Sequence, residues 1–403
     1  MWRLGFFFHE MGFGLLSIFL PLYIVNIGGS LVDIGTMAAA ALFVAIPASF
    51  LWGYMCDKTR HYKRYILFSF LTSAILLYLF TLTRNVSMLV LLYAIMSFLH
   101  MAHEPPKNVL IAELYSRQDW ERSFAFYEGF TEIGWLIGLV LGFLTATYAV
   151  PEVSTLLLCG ILNLVAFGLS LMLVADPLLV FERSLVTIEK SIDFASHGVF
   201  LASRMLGGLS VNEKLTRENL RAFCAGLILF SLATSILFTP MPIFVSQIVN
   251  EAALPSSLVF AIFVLNSGGA VMGYALAAKR SSQRAEKTHV ARVVLFRSSL
   301  SFILLLILAV QSPMYNVMLT TAILILMGFA YASFLVYTLS LSMELIPSGK
   351  AGLFNVLIGI GGACGSFVGP FIASQTFGFE AVFITAGVTF LVAYLAFKIF
   401  VQS

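Results

Sequence analysis

The chain has 403 residues, of which 60% are hydrophobic and only 11% are charged. Soluble domains usually carry about 25% charged residues, so this amount of apolar surface needs lipid as its solvent. The net charge of +3 is too small to indicate a nucleic-acid partner. These values exclude an ordinary soluble protein and predict one whose principal partner is the lipid bilayer.

Twelve apolar runs follow one another along the chain, and each is long enough to cross a bilayer as a helix of about 20 residues. They cover approximately residues 4–26, 31–55, 64–83, 88–112, 123–147, 154–175, 221–247, 256–277, 293–310, 314–343, 351–373 and 379–400. The first run contains Glu10 and has no small-residue cleavage site after it, which favours a membrane span over a signal peptide. The pattern predicts an all-α membrane protein with twelve transmembrane helices.

The basic residues indicate an orientation. When the N-terminus is placed inside, 20 of the 23 lysines and arginines fall in inner segments and only Arg84 falls in an outer loop. Lys107 and Arg297 lie within the predicted spans. Because cytoplasmic loops carry an excess of basic residues, the distribution predicts that both termini are cytoplasmic. A multi-pass protein of the plasma membrane is expected.

One connection is much longer than the others. Residues 176–220 carry charges throughout, while Phe181, Leu185, Ile188 and Ile192 recur at helical spacing. The segment therefore predicts a cytoplasmic linker, either with an amphipathic helix on the membrane surface or as a solvated connector. It divides the chain into an N-terminal six-helix bundle, 1–175, and a C-terminal six-helix bundle, 221–403.

The two predicted bundles repeat several local patterns. Phe19-x-Pro21 in the first span is matched by Phe238-x-Pro240 in the seventh span. Glycines at four-residue spacing occur in the fifth and eleventh spans, at Gly134, Gly138 and Gly142, and at Gly361, Gly365 and Gly369. Such repeats predict two pseudo-symmetric bundles, and the glycine faces predict close helix packing.

The loop after the second span carries a charged motif. Its matching positions are Gly53, Asp57 and Lys58 and, with one residue of slippage, Lys63 and Arg64. The loop resembles the G-x-x-x-D-[RK]-x-G-x-[RK]-[RK] signature of the major facilitator superfamily, although Arg60 replaces the second glycine and a different turn is expected. The resemblance implies alternating access, a gating role for this motif, no cofactor, and a monomer. The general excess of basic residues in cytoplasmic loops would also explain these charges, without a gating role.

The first half carries charges at membrane depth. They are Glu10 in the first span, His100, His103, Glu104 and Lys107 in the fourth, and Glu128 and Glu132 in the fifth. A charge at mid-membrane costs about 2.5–3.5 kcal/mol even on the mildest scale, so such residues are usually functional. Lys107 is expected to pair with Glu104, and Glu128 and Glu132 to share a proton. The resemblance places the first and fourth spans at a central cavity, although a static polar network would also account for the set.

The second half offers no comparable charged cluster, and Tyr331 and Tyr337 are predicted to form its uncharged cavity wall. The leading hypothesis is therefore a proton-coupled transporter of a small molecule. His9, His100 and His103 lie in spans beside acidic residues, which leaves a divalent-metal carrier open. An intramembrane enzyme or a receptor is a further alternative, but no GxSxG or HExxH motif occurs. The sequence indicates neither the substrate nor the direction of transport.

Overall fold

A computed structural model describes residues 1–114, 120–176, 220–280, 287–345 and 352–402. Within these residues, twelve helical segments are long and apolar enough to cross a membrane, which confirms the predicted all-α architecture. Their bounds are Arg3–Asn26 (span 1), Leu31–Thr59 (span 2), Tyr62–Phe80 (span 3), Val86–His100 continued by Glu104–Leu114 (span 4), Trp120–Thr147 (span 5), Glu152–Leu173 (span 6), Leu220–Phe238 continued by Met241–Glu251 (span 7), Leu258–Arg280 (span 8), Lys287–Ile307 (span 9), Pro313–Leu345 (span 10), Gly352–Ala373 (span 11) and Gly378–Gln402 (span 12).

Short capped turns join many of the spans as antiparallel neighbours. Between spans 1 and 2, Gly28 adopts a positive φ of 94°, which a residue without a Cβ reaches at low cost. Ser30 and Asp33 then form a capping box, in which each side chain accepts a hydrogen bond from the other residue's backbone N–H. The sequence thus specifies where span 1 ends and where span 2 begins.

Spans 4 and 7 are broken helices, whereas the apolar runs predicted continuous ones. In span 4, a 3-10 turn at Met101–His103 separates the two helices. Pro105 and Pro106 lie in the first turn of the second helix, where a missing backbone N–H costs little. In span 7 the break falls at Thr239 and Pro240.

The repeated Phe-x-Pro motif therefore has two different structures. Pro21 lies inside the unbroken helix of span 1, and Pro240 lies between the two helices of span 7. Similar sequence at equivalent positions does not fix the local backbone here, because the surrounding packing decides whether a proline is accommodated or ends the helix.

Helix packing follows the same plan in both halves. Span 1 packs on spans 5 and 6, as span 7 packs on spans 11 and 12. Span 4 packs on spans 2 and 3, as span 10 packs on spans 8 and 9, and the contact of spans 3 and 6 is matched by that of spans 9 and 12. The halves meet through spans 2 and 11 and through spans 5 and 8. This pattern is a pseudo-symmetric pair of six-helix bundles.

The glycine faces lie at equivalent places in the two bundles. A Cβ added at Gly138 of span 5 would collide with the carbonyl oxygen of Met11 in span 1, and one added at Gly365 of span 11 would collide with that of Leu232 in span 7. The backbones of these helix pairs therefore approach too closely for any side chain between them, as the glycine spacing predicted.

The predicted linker lies largely outside the described residues. Asp176 is its last described residue before residue 220, so the amphipathic helix and the proposed domain boundaries remain predictions. At that point the Asp176 carboxylate accepts a hydrogen bond of 2.7 Å from the backbone N–H of Lys63, near the start of span 3. This hydrogen bond holds the start of the linker against the N-terminus of span 3 in the first bundle.

We expect Gly138→Ala to lower the free energy of unfolding by about 1–3 kcal/mol, because the added methyl group would force spans 1 and 5 apart. The matched control is Gly168→Ala in span 6, where no atom lies within 4 Å of the added Cβ among the described residues. The midpoint of thermal unfolding in detergent is measured for both purified variants. Equal midpoints for the two variants would contradict the close packing.

Candidate functional site

An ion pair lies at the restart of span 4. Lys107 Nζ is 2.6 Å from Glu104 Oε2, and the two residues are three positions apart in the first turns of the helix. The other carboxylate oxygen of Glu104 lies 3.3 Å from His103 Nε2. The pair predicted from the sequence is present, and the helix restart places its members side by side.

Three histidines from two spans meet beside this pair. His9 Nε2 of span 1 lies 3.1 Å from His100 Nδ1, and His9 Nδ1 lies 2.6 Å from the side-chain oxygen of Asn163 in span 6. His103 Nδ1 lies 2.6 Å from the His100 carbonyl oxygen and 3.2 Å from the Ser69 hydroxyl. His9 and His103 are buried. Spans 1, 3, 4 and 6 are thereby joined by polar contacts within the first bundle.

Two further carboxylates belong to the same electrostatic cluster. Lys107 interacts with Glu10 of span 1 and Glu128 of span 5 as well as with Glu104. Three carboxylates thus interact with one lysine, and full ionisation of all four groups would leave a net charge of −2. Charge repulsion and poor solvation both oppose that state, so the cluster is suited to hold protons.

Glu132 lies at the boundary between the bundles and interacts electrostatically with Glu128, so a proton shared by the two stays a prediction. Its carboxylate accepts a hydrogen bond of 2.5 Å from the hydroxyl of Ser267 in span 8. Both residues line a cavity of about 320 Å³. The remaining lining is contributed by spans 1, 2, 4, 5, 7 and 8 and includes Leu16, Pro21, Met37, Tyr93, Trp135, Phe238, Thr239, Phe263 and Asn266. Among the described residues that line this cavity, Glu132 is the only acidic one.

The predicted aromatic wall takes no part in the lining of this cavity. Tyr331 of span 10 keeps 37% of its surface exposed, and Tyr337 stacks on His289 of span 9 with ring centroids 5.7 Å apart. The structure therefore gathers Glu10, Glu104 and Lys107 with their neighbours, and it does not add the two tyrosines to that group. Their role as a substrate wall stays a prediction.

The motif after span 2 forms the end of that helix and the start of the next. Arg60 adopts a left-handed conformation with φ of 56°, and its N–H donates to the Cys56 carbonyl oxygen. The arginine thus adopts a conformation that a glycine would adopt at lower cost, and a difference from the family's turn stays a prediction. Lys58 lies 5.7 Å from the Tyr54 ring, Arg64 is exposed, and the Asp57 side chain lies outside the described ones, so a gating role remains a prediction.

Sequence reasoning missed a buried charge in the second bundle. Arg297, in the middle of span 9, has no exposed surface and lies among aromatic rings. One signal could have found it, because Arg297 is a basic residue inside a span with no acidic residue nearby in the sequence. The two bundles therefore differ in the charges that they place inside the membrane. The first holds carboxylates with a lysine, and the second holds an arginine.

Twelve spans in two pseudo-symmetric bundles around a largely apolar cavity define a multi-pass membrane transporter. The family model for the Major Facilitator Superfamily matches residues 4–355, and the chain belongs to that family. The family resemblance read from the loop after span 2 is thus confirmed. Membership identifies the protein as a transporter of small molecules and excludes the enzyme alternative.

Solved structures of the same fold cover almost the whole chain. The nucleoside transporter NupG is 15% identical, with a TM-score of 0.71 over 99% of this chain and 98% of that one. The human organic anion transporter MFSD10 (TETRAN) is 17% identical, with a TM-score of 0.69 over 98% of this chain and 97% of that one. No curated protein sequence matches the chain significantly. At such identities the likeness shows the fold alone.

We expect Lys107→Met to lower the free energy of unfolding by about 3 kcal/mol, because it leaves the Glu104 carboxylate without its partner. Adding Glu104→Gln to this variant should recover part of the loss, since both charges are then gone. Thermal unfolding in detergent measures the change, with exposed Lys58→Met as the control. A loss no larger than that of the control would show that the pair is not a structural unit.

Proposed function

We propose that the protein is a proton-coupled secondary transporter that works by alternating access. The observation that carries this proposal is the hydrogen bond between Glu132 and Ser267, which joins the two bundles at the cavity. The proton affinity of a group at that position would depend on the contents of the cavity and on the relative position of the two bundles. The nearby carboxylate cluster supplies further proton-holding groups.

The proposed coupling follows from the charge on Glu132. An ionised carboxylate in an apolar cavity depends strongly on its hydrogen bond to Ser267, whereas a protonated one tolerates separation from it. A proton on Glu132 would therefore weaken the preference for the conformation in which the bundles meet at this point. A difference in proton affinity between two conformations is sufficient to drive a conformational cycle.

The contacts that span 2 makes with the other bundle differ between its two ends. Near the turn at residues 27–30, a Cβ added at Gly35 of span 2 would lie 3.0 Å from the Pro370 Cβ of span 11. Near Arg60, at the other end of span 2, a Cβ added at Gly53 would meet no described atom within 4 Å. Toward this second end the bundles still touch through spans 5 and 8, because a Cβ added at Gly129 would lie 3.5 Å from the Tyr274 Cβ.

We further propose the orientation and setting that the basic residues favour. Both termini and the motif loop, which includes Lys63 and Arg64, would face the cytoplasm. The plasma membrane and a monomeric state complete this proposal. His103, Glu104 and Lys107 would link proton occupancy at Glu10 and Glu128 to substrate binding.

We expect Glu132→Gln to reduce substrate-driven proton movement at least about tenfold while solute exchange without a gradient persists, because a neutral amide resembles the protonated acid. Proteoliposomes with an internal pH-sensitive dye would be challenged with nucleosides and with organic anions, the solute classes named for the two structural neighbours. Full coupled transport by Glu132→Gln would remove this residue from the mechanism.

The matched control is Glu380→Gln, which removes an exposed carboxylate in the first turn of span 12. It should leave both proton movement and exchange unchanged. Saturable flux in the unmodified protein that is insensitive to collapse of the proton gradient would contradict coupling itself, whatever the variants do.

A divalent-metal carrier is the second candidate, and one observation favours it. His9, His100 and His103 place potential ligand atoms within 4.8 Å of one another. Imidazole nitrogens suit transition metals, and the Glu104 carboxylate beside His103 would add a fourth donor. Both ring nitrogens of His9 and of His103 already have protein partners, however, so the cluster is satisfied as a hydrogen-bonded network.

We expect Zn²⁺ and Fe²⁺ to give no saturable heat in calorimetry beyond that of surface sites, because binding would break several buried hydrogen bonds. The test compares the unmodified protein with His9→Phe, and exposed His61→Gln serves as the control. A stoichiometric site that is lost only in His9→Phe would instead favour the metal carrier.

A further inference from the structure

Arg297 is enclosed by four aromatic rings in the interior of the second bundle. The carbon at the centre of its guanidinium lies 5.0 Å from the Phe390 ring, 5.1 Å from Phe230, 5.4 Å from Phe238 and 5.5 Å from Tyr331. These rings come from spans 7, 10 and 12, and the arginine has no exposed surface. Phe390 and Phe230 are themselves almost fully buried.

No described residue accepts a hydrogen bond from any of the three guanidinium nitrogens. A guanidinium carries five N–H donors, and a buried charge without a partner is strongly unfavourable. From residue 220 onward the sequence has only four acidic residues, Glu251, Glu286, Glu344 and Glu380. None of these lies near the middle of a span, so the second bundle supplies no counter-ion at the depth of Arg297.

The aromatic rings compensate only part of this cost. A cation over a ring gains about 0.5–2 kcal/mol through the electron-rich face. The N–H groups point outward in the plane of the guanidinium, and an aromatic ring cannot satisfy them as a carboxylate does. The cage therefore holds a cation in place and leaves its hydrogen-bonding capacity unused.

One ring separates this guanidinium from the cavity between the bundles. Phe238 packs over Arg297 and also lines the cavity. It is the last residue of the first helix of span 7, directly before the helix break at Thr239 and Pro240. Tyr331 of span 10 also packs on the guanidinium and interacts electrostatically with both Arg297 and Glu132.

We propose that Arg297 binds the carboxylate group of the transported solute, an inference that rests on the proposed transport function and names its substrate class. A single guanidinium matches one negative charge and binds a carboxylate through two parallel hydrogen bonds. Movement of the Phe238 ring at the helix break would open the path from the cavity. The largely apolar lining and the surrounding rings would accept an apolar body, so the solute is an amphipathic monocarboxylate.

The competing account is that Arg297 only ties spans 7, 10 and 12 together through its rings. That role depends on the positive charge and not on bidentate hydrogen bonding, and it needs no ligand. The two accounts differ in whether a carboxylate, and not a neutral molecule of the same shape, binds the full-length protein in a manner that requires Arg297.

The test uses the detergent-purified chain with 4-phenylbutyrate and octanoate as carboxylate probes and their neutral amides as matched controls. In the unmodified protein, each carboxylate at saturating concentration should raise the unfolding midpoint by about 2 °C or more, and the amides should not. Arg297→Gln should weaken carboxylate binding at least about tenfold, since a charge-assisted pair is lost. Arg297→Lys should show an intermediate loss, and Arg292→Gln, an exposed change in the same span, should show none.

Three results would overturn the proposal. They are the absence of carboxylate-specific stabilisation in the unmodified protein, equal stabilisation by acids and amides, and unchanged carboxylate binding in Arg297→Lys and Arg297→Gln. If Arg297→Gln does not fold, the comparison of Arg297→Lys with Arg292→Gln decides. Because binding in detergent needs no proton gradient, a failure here is distinguishable from a failure of coupling at Glu132.

Discussion

The cost of placing charge inside a membrane constrains every polar feature of this protein. Lipid cannot solvate an ion or an unpaired backbone group, so each must find a partner within the protein or be neutralised by a proton or a ligand. The first bundle meets this requirement with internal partners, as the Glu104–Lys107 pair and the His9–Asn163 contact show. The second bundle buries Arg297 among aromatic rings, and none of its described residues accepts a hydrogen bond from the guanidinium.

The same constraint explains how much the sequence could predict. Twelve apolar runs, short loops and the glycine spacing gave the span count and the close packing, because each depends on local composition. The Glu104–Lys107 pair was predictable from three-residue spacing on one helix. The Glu132–Ser267 bond was not, since it joins residues 135 positions apart and depends on how the bundles meet. The helix break in span 7 was also missed, because the matching Pro21 lies in a continuous helix.

Arg297 shows a different limit of sequence reasoning. The residue was visible as a charge inside a span, yet its neighbours in sequence are apolar and gave it no obvious role. Only the fold brings Phe230, Phe238 and Phe390 around it, from spans that are far apart along the chain. Polar clusters in the sequence do not reveal such a site, because its walls are ordinary membrane residues and no described residue supplies a hydrogen-bond partner for the guanidinium.

Pseudo-symmetry of the backbone therefore coexists with asymmetry of charge, and this division suits alternating access. The proposed cycle places excess carboxylates in one bundle and an uncompensated cation in the other, with the cavity between them. A proton on Glu132 and an anion at Arg297 would each lower the cost of burying charge on opposite sides of that cavity. Coupling would then require no direct contact between proton and solute. Each would change the free energy of bringing the two bundles together at the cavity.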